Sequence, residues 1–467
     1  MTSRGRTLAL LCATQFLLVL DVTVVGVALP EIRSELGFDA AGLQWVVSAY
    51  VLAFGGLLLL AGRLADVAGR RRVFLAGIAV FTLGSLACGL AAGPGALVAA
   101  RAFQGGGAAL ATPAALALVT TTFPDGPERT RALGIWTAAA PVGGAAGLLL
   151  GGVLTQGLGW PAVFLVNVPV GVAALVLAPR MLPRDERASA AAGGIARLDL
   201  PGAALGTVTV VALAYALTRA ERGGPGDPVT LGMLAAAGVA AAGFARWERR
   251  AADPLLPPGT FRVRGLAVGV GVSLVLTAAT SPTLFFVTLH LQSVLGWSPT
   301  ATGLGCLPVV LAVIAGATAA PRLIAARGTG AVMCGGLALI AAGAALLTGI
   351  STSGGFATAV LPGEALYGLG LGAGSVAATT AGTAALPATR QGLASGLLNT
   401  AAQLGTALGL AVLVAVSTAV GEGGDAGFVT GFRAAFAVDA ALTAAAAIAV
   451  ALAVRGRAPA SARLERV

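Results

Sequence analysis

Two charged residues stand where hydrocarbon would have to surround them: Asp21 inside the apolar run 7–29, and Arg101 inside the run 95–119. An ionised carboxyl is costly in such a place, and a side chain kept there despite the cost is suited to taking up and releasing a proton. A guanidinium stays charged at any accessible pH and is the natural counter-charge. If the cation holds the carboxyl in one shape of the protein and releases it in another, protonation becomes coupled to conformation. Plainer readings stand beside these: Asp21 as a hydrogen-bond partner of a neighbouring helix, and Arg101 snorkelling to an interface. A third charged string, GRLADVAGRRRV over 62–73, falls between two apolar runs. Its arginines and Asp66 cannot enter hydrocarbon cheaply, so it marks a short turn at a membrane face. Gly62 and Gly69 permit a tight turn and close approach of another helix, and Asp66 is free to meet a positive partner.

The elements that must position these residues are membrane helices. A chain of 467 residues with 57% hydrophobic and 10% charged residues, and a mean hydropathy of +0.91, has more apolar surface than one soluble core can hide. The net charge of +10 comes from arginine alone, because the chain has no lysine. These arginines are scattered through short loops rather than gathered on one face, which sets nucleic acid aside as a partner. Cys12, Cys88, Cys306 and Cys334 lie in apolar stretches without metal-like spacing and read as small packing residues. A Gly-x-x-x-x-Gly-Lys-Ser/Thr phosphate loop is absent, a lone histidine excludes a histidine-rich metal site, and no nucleophile and base converge. The expectation is a protein that is not an enzyme and needs no cofactor.

Fourteen apolar runs are long enough to span: 7–29, 42–61, 73–92, 95–119, 132–154, 161–179, 199–218, 229–246, 265–290, 300–321, 330–350, 357–383, 391–419 and 432–454. The first is not read as a cleaved signal, since it carries Asp21 and ends in the poor cleavage context Ala28-Leu29-Pro30. With a cytoplasmic N-terminus, most loop arginines, from Arg4 and Arg6 through Arg70 to Arg72, Arg129, Arg131, Arg180, Arg184, Arg187 and Arg246 to Arg390, fall on one side. Only Arg33, Arg219, Arg222 and Arg433 fall on the other. That asymmetry is the positive-inside rule, and it puts both termini in the cytoplasm. A faint repeat accompanies it. Arg63-Leu64-x4-Gly69 recurs as Arg322-Leu323-x4-Gly328, and Thr130-Arg131 as Thr389-Arg390, with 322 − 63 = 389 − 130 = 259. The expected architecture is all-α: a six-helix N-terminal half over 1–198, a two-helix insert over 199–250 and a six-helix C-terminal half over 251–467. A binding cavity is then expected at mid-membrane between the halves, with Glu364, Gln15, Gln104, Asn399 and Gln403 as candidates to line it.

Several strings carry a family likeness. Gly-Arg-Leu-Ala-Asp66-x-x-Gly69-Arg70-Arg71 resembles the loop between the second and third helices of major facilitator superfamily transporters. Leu20-Asp21 through Pro30 is similar to the first-helix signature of the fourteen-helix drug:proton antiporters, and Arg101-Ala-Phe-Gln104-Gly105 to the superfamily's fourth-helix motif. Gly134, Gly143, Gly147, Gly151 and Gly152 are spaced like the antiporter motif of drug exporters. Val166-Asn167-Val-Pro169-Val-Gly171, Leu289-His290-Leu-Gln292 through Pro299, and Gly392 through Gly396 with Asn399 and Gln403 extend the likeness over nearly the whole chain. Two places depart from it: Leu148 stands where a proline usually follows the middle glycine, and Pro161 where an arginine commonly follows tryptophan.

The resemblance implies a major facilitator fold of fourteen transmembrane helices in the bacterial inner membrane. It implies export of a small hydrophobic drug or antibiotic in exchange for protons, by a protein functional as a monomer in the lipid bilayer. Uptake by solute:proton symport on the same fold is the alternative. It also implies proton coupling through Asp21 and Arg101, and a gate formed by Gly62, Asp66, Gly69, Arg70 and Arg71. Asp66 is expected to meet the positive N-terminus of the thirteenth run near Gln391. As orientation charges alone, Arg70 to Arg72 have an equally simple account. The glycine series, in a chain with 68 glycines, has close helix packing as its default meaning. Glu364, in the outer part of its run, is placed to face either the level of Arg101 or a cationic substrate. Asp439 and His290 are better explained as packing or interfacial residues.

Overall fold

The computed structural model describes residues 3–38, 40–43, 45–183, 199–223, 226–251, 254–257, 259–297, 299–352, 355–421 and 425–455. The expected boundary at 198/199 lies beside residues 184–198, which are outside that set together with Arg184, Arg187 and Arg197. Among the described residues the regular structure is helical throughout. The N-terminal helices are α1 (Ser3–Leu36), the single turn α2 (Ala40–Leu43), α3 (Trp45–Ala68), α4 (Arg70–Gly89), α5 (Pro94–Thr122), α6 (Pro127–Leu158), α7 (Pro161–Leu165) and α8 (Asn167–Met181). Next come α9 (Leu200–Gly223) and α10 (Pro228–Glu248), then α11 (Arg264–Leu289), α12 (Pro299–Gly305), α13 (Leu307–Leu347), α14 (Leu361–Ala384), α15 (Gln391–Val420) and α16 (Asp425–Arg455).

The fourteen expected runs fall on these helices, with 161–179 divided between α7 and α8 and 300–321 between α12 and α13. Among the described residues, eleven stretches are long and apolar enough to cross a membrane by length and composition, one of them, Ala301–Leu347, holding two expected runs in line. Those two are separated at Gly328, where φ is 80° and the helix breaks. Its repeat partner Gly69 separates α3 from α4 with φ 102°. Both residues need a backbone that only glycine adopts cheaply, which is why this element of the repeat is a glycine.

The repeat is written into the packing as well. Between membrane helices lipid offers no hydrophobic drive to associate, so small residues that let backbones approach closely decide who packs on whom. Gly77 and Gly84 of α4 face α5 at Ala111 and Gln104, too close for a side chain to be added. Gly336 and Gly343 of α13 face α14 in the same way at Gly370 and Gly363. The spacing is constant, since 336 − 77 = 343 − 84 = 370 − 111 = 363 − 104 = 259. The pairing of α1 with α6 is likewise matched by α11 with α15. Across the halves, α3 packs on α15 and α13 on α6.

The pair α9 and α10 is held to helices that precede and follow it in the chain. Thr207 on α9 donates to the Gly56 carbonyl of α3 at 2.9 Å, and Tyr215 stacks on Trp45 with ring centroids 5.8 Å apart. The same helix also packs on α15. The turn into α10 is closed by Asp227, which accepts from the backbone N–H of Thr230 at 3.1 Å and from Arg219 Nε at 3.1 Å.

Candidate functional site

At one end of the bundle the halves are locked together through Asp66. Its two carboxylate oxygens accept the backbone N–H groups of Gly392 at 2.8 Å and Leu393 at 2.9 Å. These are orphan donors in the first turn of α15, so a carboxylate satisfies them and also sits at the positive end of the helix dipole. Arg70 Nη2 lies 3.3 Å from Asp66 Oδ1 and reaches on across the seam to the Ala388 carbonyl. Gly62 has no room for a β-carbon against the Gly392 carbonyl, and Gly392 none against Gly62. Arg71 instead donates to Pro179 O at 2.8 Å within its own half, so the run of arginines is divided between the seam and the N-terminal half.

Asp21 and Arg101 meet in the interior. Arg101 Nη1 donates to Asp21 Oδ2 at 2.8 Å, with the two side chains 1% and 0% exposed. The other carboxylate oxygen accepts from Gln104 Nε2 at 2.8 Å and Asn167 Nδ2 at 2.6 Å. Arg101 also donates through Nε to the Val46 carbonyl at 2.8 Å and through Nη1 to Gln104 Oε1 at 2.6 Å, and its guanidinium lies over the Tyr50 ring, 4.3 Å from the centroid. Ser85 Oγ accepts from Gln104 Nε2 at 2.7 Å. The cluster thus draws on α1, α3, α4, α5 and α8. Gln104 belongs to this network rather than to an open cavity. Ser85 and Tyr50 carry no sequence signal of their own, because a serine or tyrosine in an apolar helix gains meaning only from its neighbours.

A cavity of about 280 Å³ lies between the halves, toward the end opposite Asp66. Its walls are Thr23 of α1, residues 141–149 of α6, Thr280 to Leu284 of α11, and parts of α12, α13 and α14. Glu364 and Tyr367 face it, and Glu364 is 2% exposed with its Oε2 lacking any hydrogen-bond partner. Behind the wall the Tyr367 hydroxyl donates to Asp439, which is 2% exposed on α16. Gln15, Asn399 and Gln403 are not among the lining residues. Asn399 Nδ2 bonds the Ser395 carbonyl at 2.9 Å, and Gln15 Oε1 is buried without a partner. A second hollow of about 420 Å³ sits within the C-terminal half beside Val263, Met333 and Thr380, away from both carboxylate clusters. His290 is 1% exposed with both ring nitrogens unpaired, at the start of a short π-helical turn.

The spaced glycines of α6 are contact residues. Gly143 faces the Phe16 carbonyl, Gly147 faces Leu20 O and Thr23, and Gly151 faces Val24 and Val27, all on α1. Gly134 meets the Ala317 carbonyl of α13 across the seam, while a β-carbon at Gly152 would meet nothing within 4 Å. The C-terminal half has the same arrangement: Gly405 and Gly409 of α15 face the Leu274 and Ala278 carbonyls of α11. Although Leu148 replaces the usual proline, α6 has Pro141 inside it.

A family model described as Major Facilitator Superfamily matches residues 11–410. The cephamycin export protein CmcT of Amycolatopsis lactamdurans is 48% identical over 308 residues, which is 66% of this chain and 63% of that protein. The puromycin resistance protein of Streptomyces alboniger is 44% identical over 373 residues, 78% of this chain and 72% of its own length. Among solved structures, the human organic anion transporter MFSD10 (TETRAN) superposes with a TM-score of 0.69 at 18% identity, covering 96% of this chain and all of that one.

Proposed function

Because this chain belongs to the Major Facilitator Superfamily, a family of membrane transporters, we propose that it exports a small hydrophobic drug or antibiotic across the bacterial inner membrane in exchange for protons. The observation that carries this reading is the apolar cavity between two halves that are sealed to each other at one end by Asp66. A passage closed at one end and hollow at the other is one member of an alternating pair, and rocking the halves about the cavity gives the second. Export and resistance are what the names of the cited bacterial relatives say of those proteins, and that supports export over uptake here.

The arginine bias puts both termini, and the Asp66 end, in the cytoplasm, so the described state is closed inward. In this reading residues 1–198 and 251–467 are the two halves and 199–250 the insert. Asp21 and Arg101 are the coupling pair, Gly62, Asp66, Gly69 and Arg70 form the gate, and Glu364 stands at the substrate cavity. One protomer in the bilayer contains every part named. Opening inward pulls Gly392 and Leu393 off Asp66, and protonation of a carboxyl is what makes such a change reversible.

The test uses inverted membrane vesicles with an imposed proton gradient, screened for compounds that are accumulated and that release protons. Extruding cells and accumulating inverted vesicles mark an exporter. Accumulation by right-side-out cells, driven by the same gradient, would instead identify a symporter.

A further inference from the structure

Resting on the orientation and gate proposed above, we propose that Asp199 and Glu248 form a proton-binding site at the cytoplasmic end of the two-helix insert, and that the proton they share clasps the insert to the seam closed by Asp66. Asp199 stands just before α9, and Glu248 is the last residue of α10. One oxygen of each carboxyl is engaged by N–H donors. Asp199 Oδ1 accepts from Trp247 Nε1 at 2.6 Å and from the Gly202 N–H at 2.9 Å, while Glu248 Oε2 accepts from the Leu256 N–H at 2.9 Å. The other two oxygens, Asp199 Oδ2 and Glu248 Oε1, are buried, have no donor and lie within hydrogen-bond reach of each other. They converge over the bare α-carbon of Gly202, where a β-carbon would collide with both.

Two ionised oxygens do not face each other in a buried place unless a positive group stands between them. Glu248 is 5% exposed, and among the described residues neither carboxyl has an ion-pair partner. The charged groups on the surrounding elements are Arg246, Arg249 and Arg250, exposed on either side of Glu248, Arg63 and Asp66 near the end of α3, and Arg390 before α15. Asp66 is engaged by Gly392, Leu393 and Arg70. A metal ion would find only two free protein oxygens here, and no group of three acidic, cysteine or histidine side chains suited to one occurs among the described residues. A proton needs just two. One carboxyl donates it to the other as an O–H···O bond, and its loss to water leaves two like charges in contact. The pair is tied to the gate through the segment it holds. Leu256, whose N–H Glu248 accepts, packs against the apolar cluster of Leu266, Leu393, Ala394 and Leu397, and the Leu393 N–H is one of the two that Asp66 accepts. The shared proton therefore keeps the ends of α9 and α10 together and residues 254–257 against the first turn of α15. Its loss drives Glu248 from Asp199 and loosens that turn, so an acid cytoplasm favours the state closed inward.

Full-length protein in lipid nanodiscs is titrated from about pH 5 to about pH 9 with two readouts, infrared difference spectra and amide exchange corrected for intrinsic rates. In the wild type the carbonyl band of protonated carboxyls should include a component that titrates. As it disappears, the amides at 255–256 and at 392–393 should lose protection together, by about tenfold. Glutamine at 248 is neutral at every pH, and it accepts from Leu256 through its oxygen while donating to Asp199 through its nitrogen. Glu248→Gln is therefore expected to lack that component and to keep both segments protected throughout the range. Asp199→Asn should behave alike, so the test survives the failure of either variant to fold. Wild-type protection indifferent to pH, a change at 255–256 that 392–393 do not follow, or an unaltered titration in both variants overturns the proposal. So does protection that responds to added magnesium at fixed pH, which would make the site a metal site. Export by vesicles together with exchange indifferent to pH removes the clasp and leaves the exporter. A titration dependent on Glu248 in a protein that exports no compound does the reverse.

Discussion

Asp21 is held by three donors, from Arg101, Gln104 and Asn167, and that number sets what a substitution does. Asparagine at 21 keeps the size of the side chain but leaves the Arg101 guanidinium buried without an anion. Removing one partner of a buried pair costs about 3–5 kcal/mol, because the remaining charge is uncompensated. Asp21→Asn is thus expected to lower stability by that order and to abolish uphill export, and Asp21→Glu to keep part of it. Adding Arg101→Gln to Asp21→Asn should recover stability in detergent unfolding without recovering export. Uphill export by Asp21→Asn with an unchanged pH profile would place the coupling proton elsewhere. In the proposed cycle Asp66 behaves differently, since its bonds to Gly392 and Leu393 would be made only while the seam is shut. Asp66→Ala should fold and bind ligand nearly as the wild type does, yet transport less, because one of the two states loses its lock. Wild-type transport by a well-expressed Asp66→Ala protein would reduce the loop to an orientation signal.

At the scale of elements, the glycines of α6 measure how close two helices come. Gly147 lies against Leu20 and Thr23 of α1, whereas Gly152 faces open space. Gly147→Leu should therefore push α6 off α1 and lose expression or transport, while Gly152→Leu should be nearly neutral; equal effects would contradict the packing account. Because Gly405 and Gly409 repeat the contact in the other half, the series reports helix packing first and direction of transport only through the family. The turn from α9 to α10 has its own pH response. The Arg219 hydrogen bond to Asp227 holds that carboxyl below its ordinary value of 3.8, with the Thr230 N–H helping. A carboxyl lowered on folding stabilises fully above 3.8, and its contribution is lost as pH falls through the lower folded value. Amide exchange at residues 229–231 should thus be flat from pH 8 to 5, after correction for intrinsic rates, and rise only in stronger acid. A rise near neutrality would rule Asp227 out as the cap that matters.

For the whole molecule, orientation is the property on which the proposed direction of transport depends. In a background without the four native cysteines, Gly226→Cys is expected to react with an impermeant thiol reagent added outside intact cells. Arg187→Cys, in the segment beyond the described residues, should react only after permeabilisation. The opposite result at either position would invert or break the fourteen-helix arrangement.

The helices, their number and their order were legible in the chain because hydrocarbon imposes a length and an apolar composition on every span, and both are local properties. The repeat was legible for a related reason: Gly69 and Gly328 occupy backbone conformations open to little else. Asp66 could be matched to the start of α15 because a helix end always exposes N–H groups. Partnerships between distant side chains were not readable in this way. Nothing about Ser85, Tyr50 or Asn167 taken alone announces a place around Asp21, and Gln104 read as a cavity residue until its contacts were known. Nor does the sequence distinguish Asp21, whose oxygens are fully engaged, from Glu364, whose oxygen faces a hollow, since both are carboxyls in apolar helices. Burial and partners depend on how helices rotate and pack, which is settled by contacts between residues far apart in the chain.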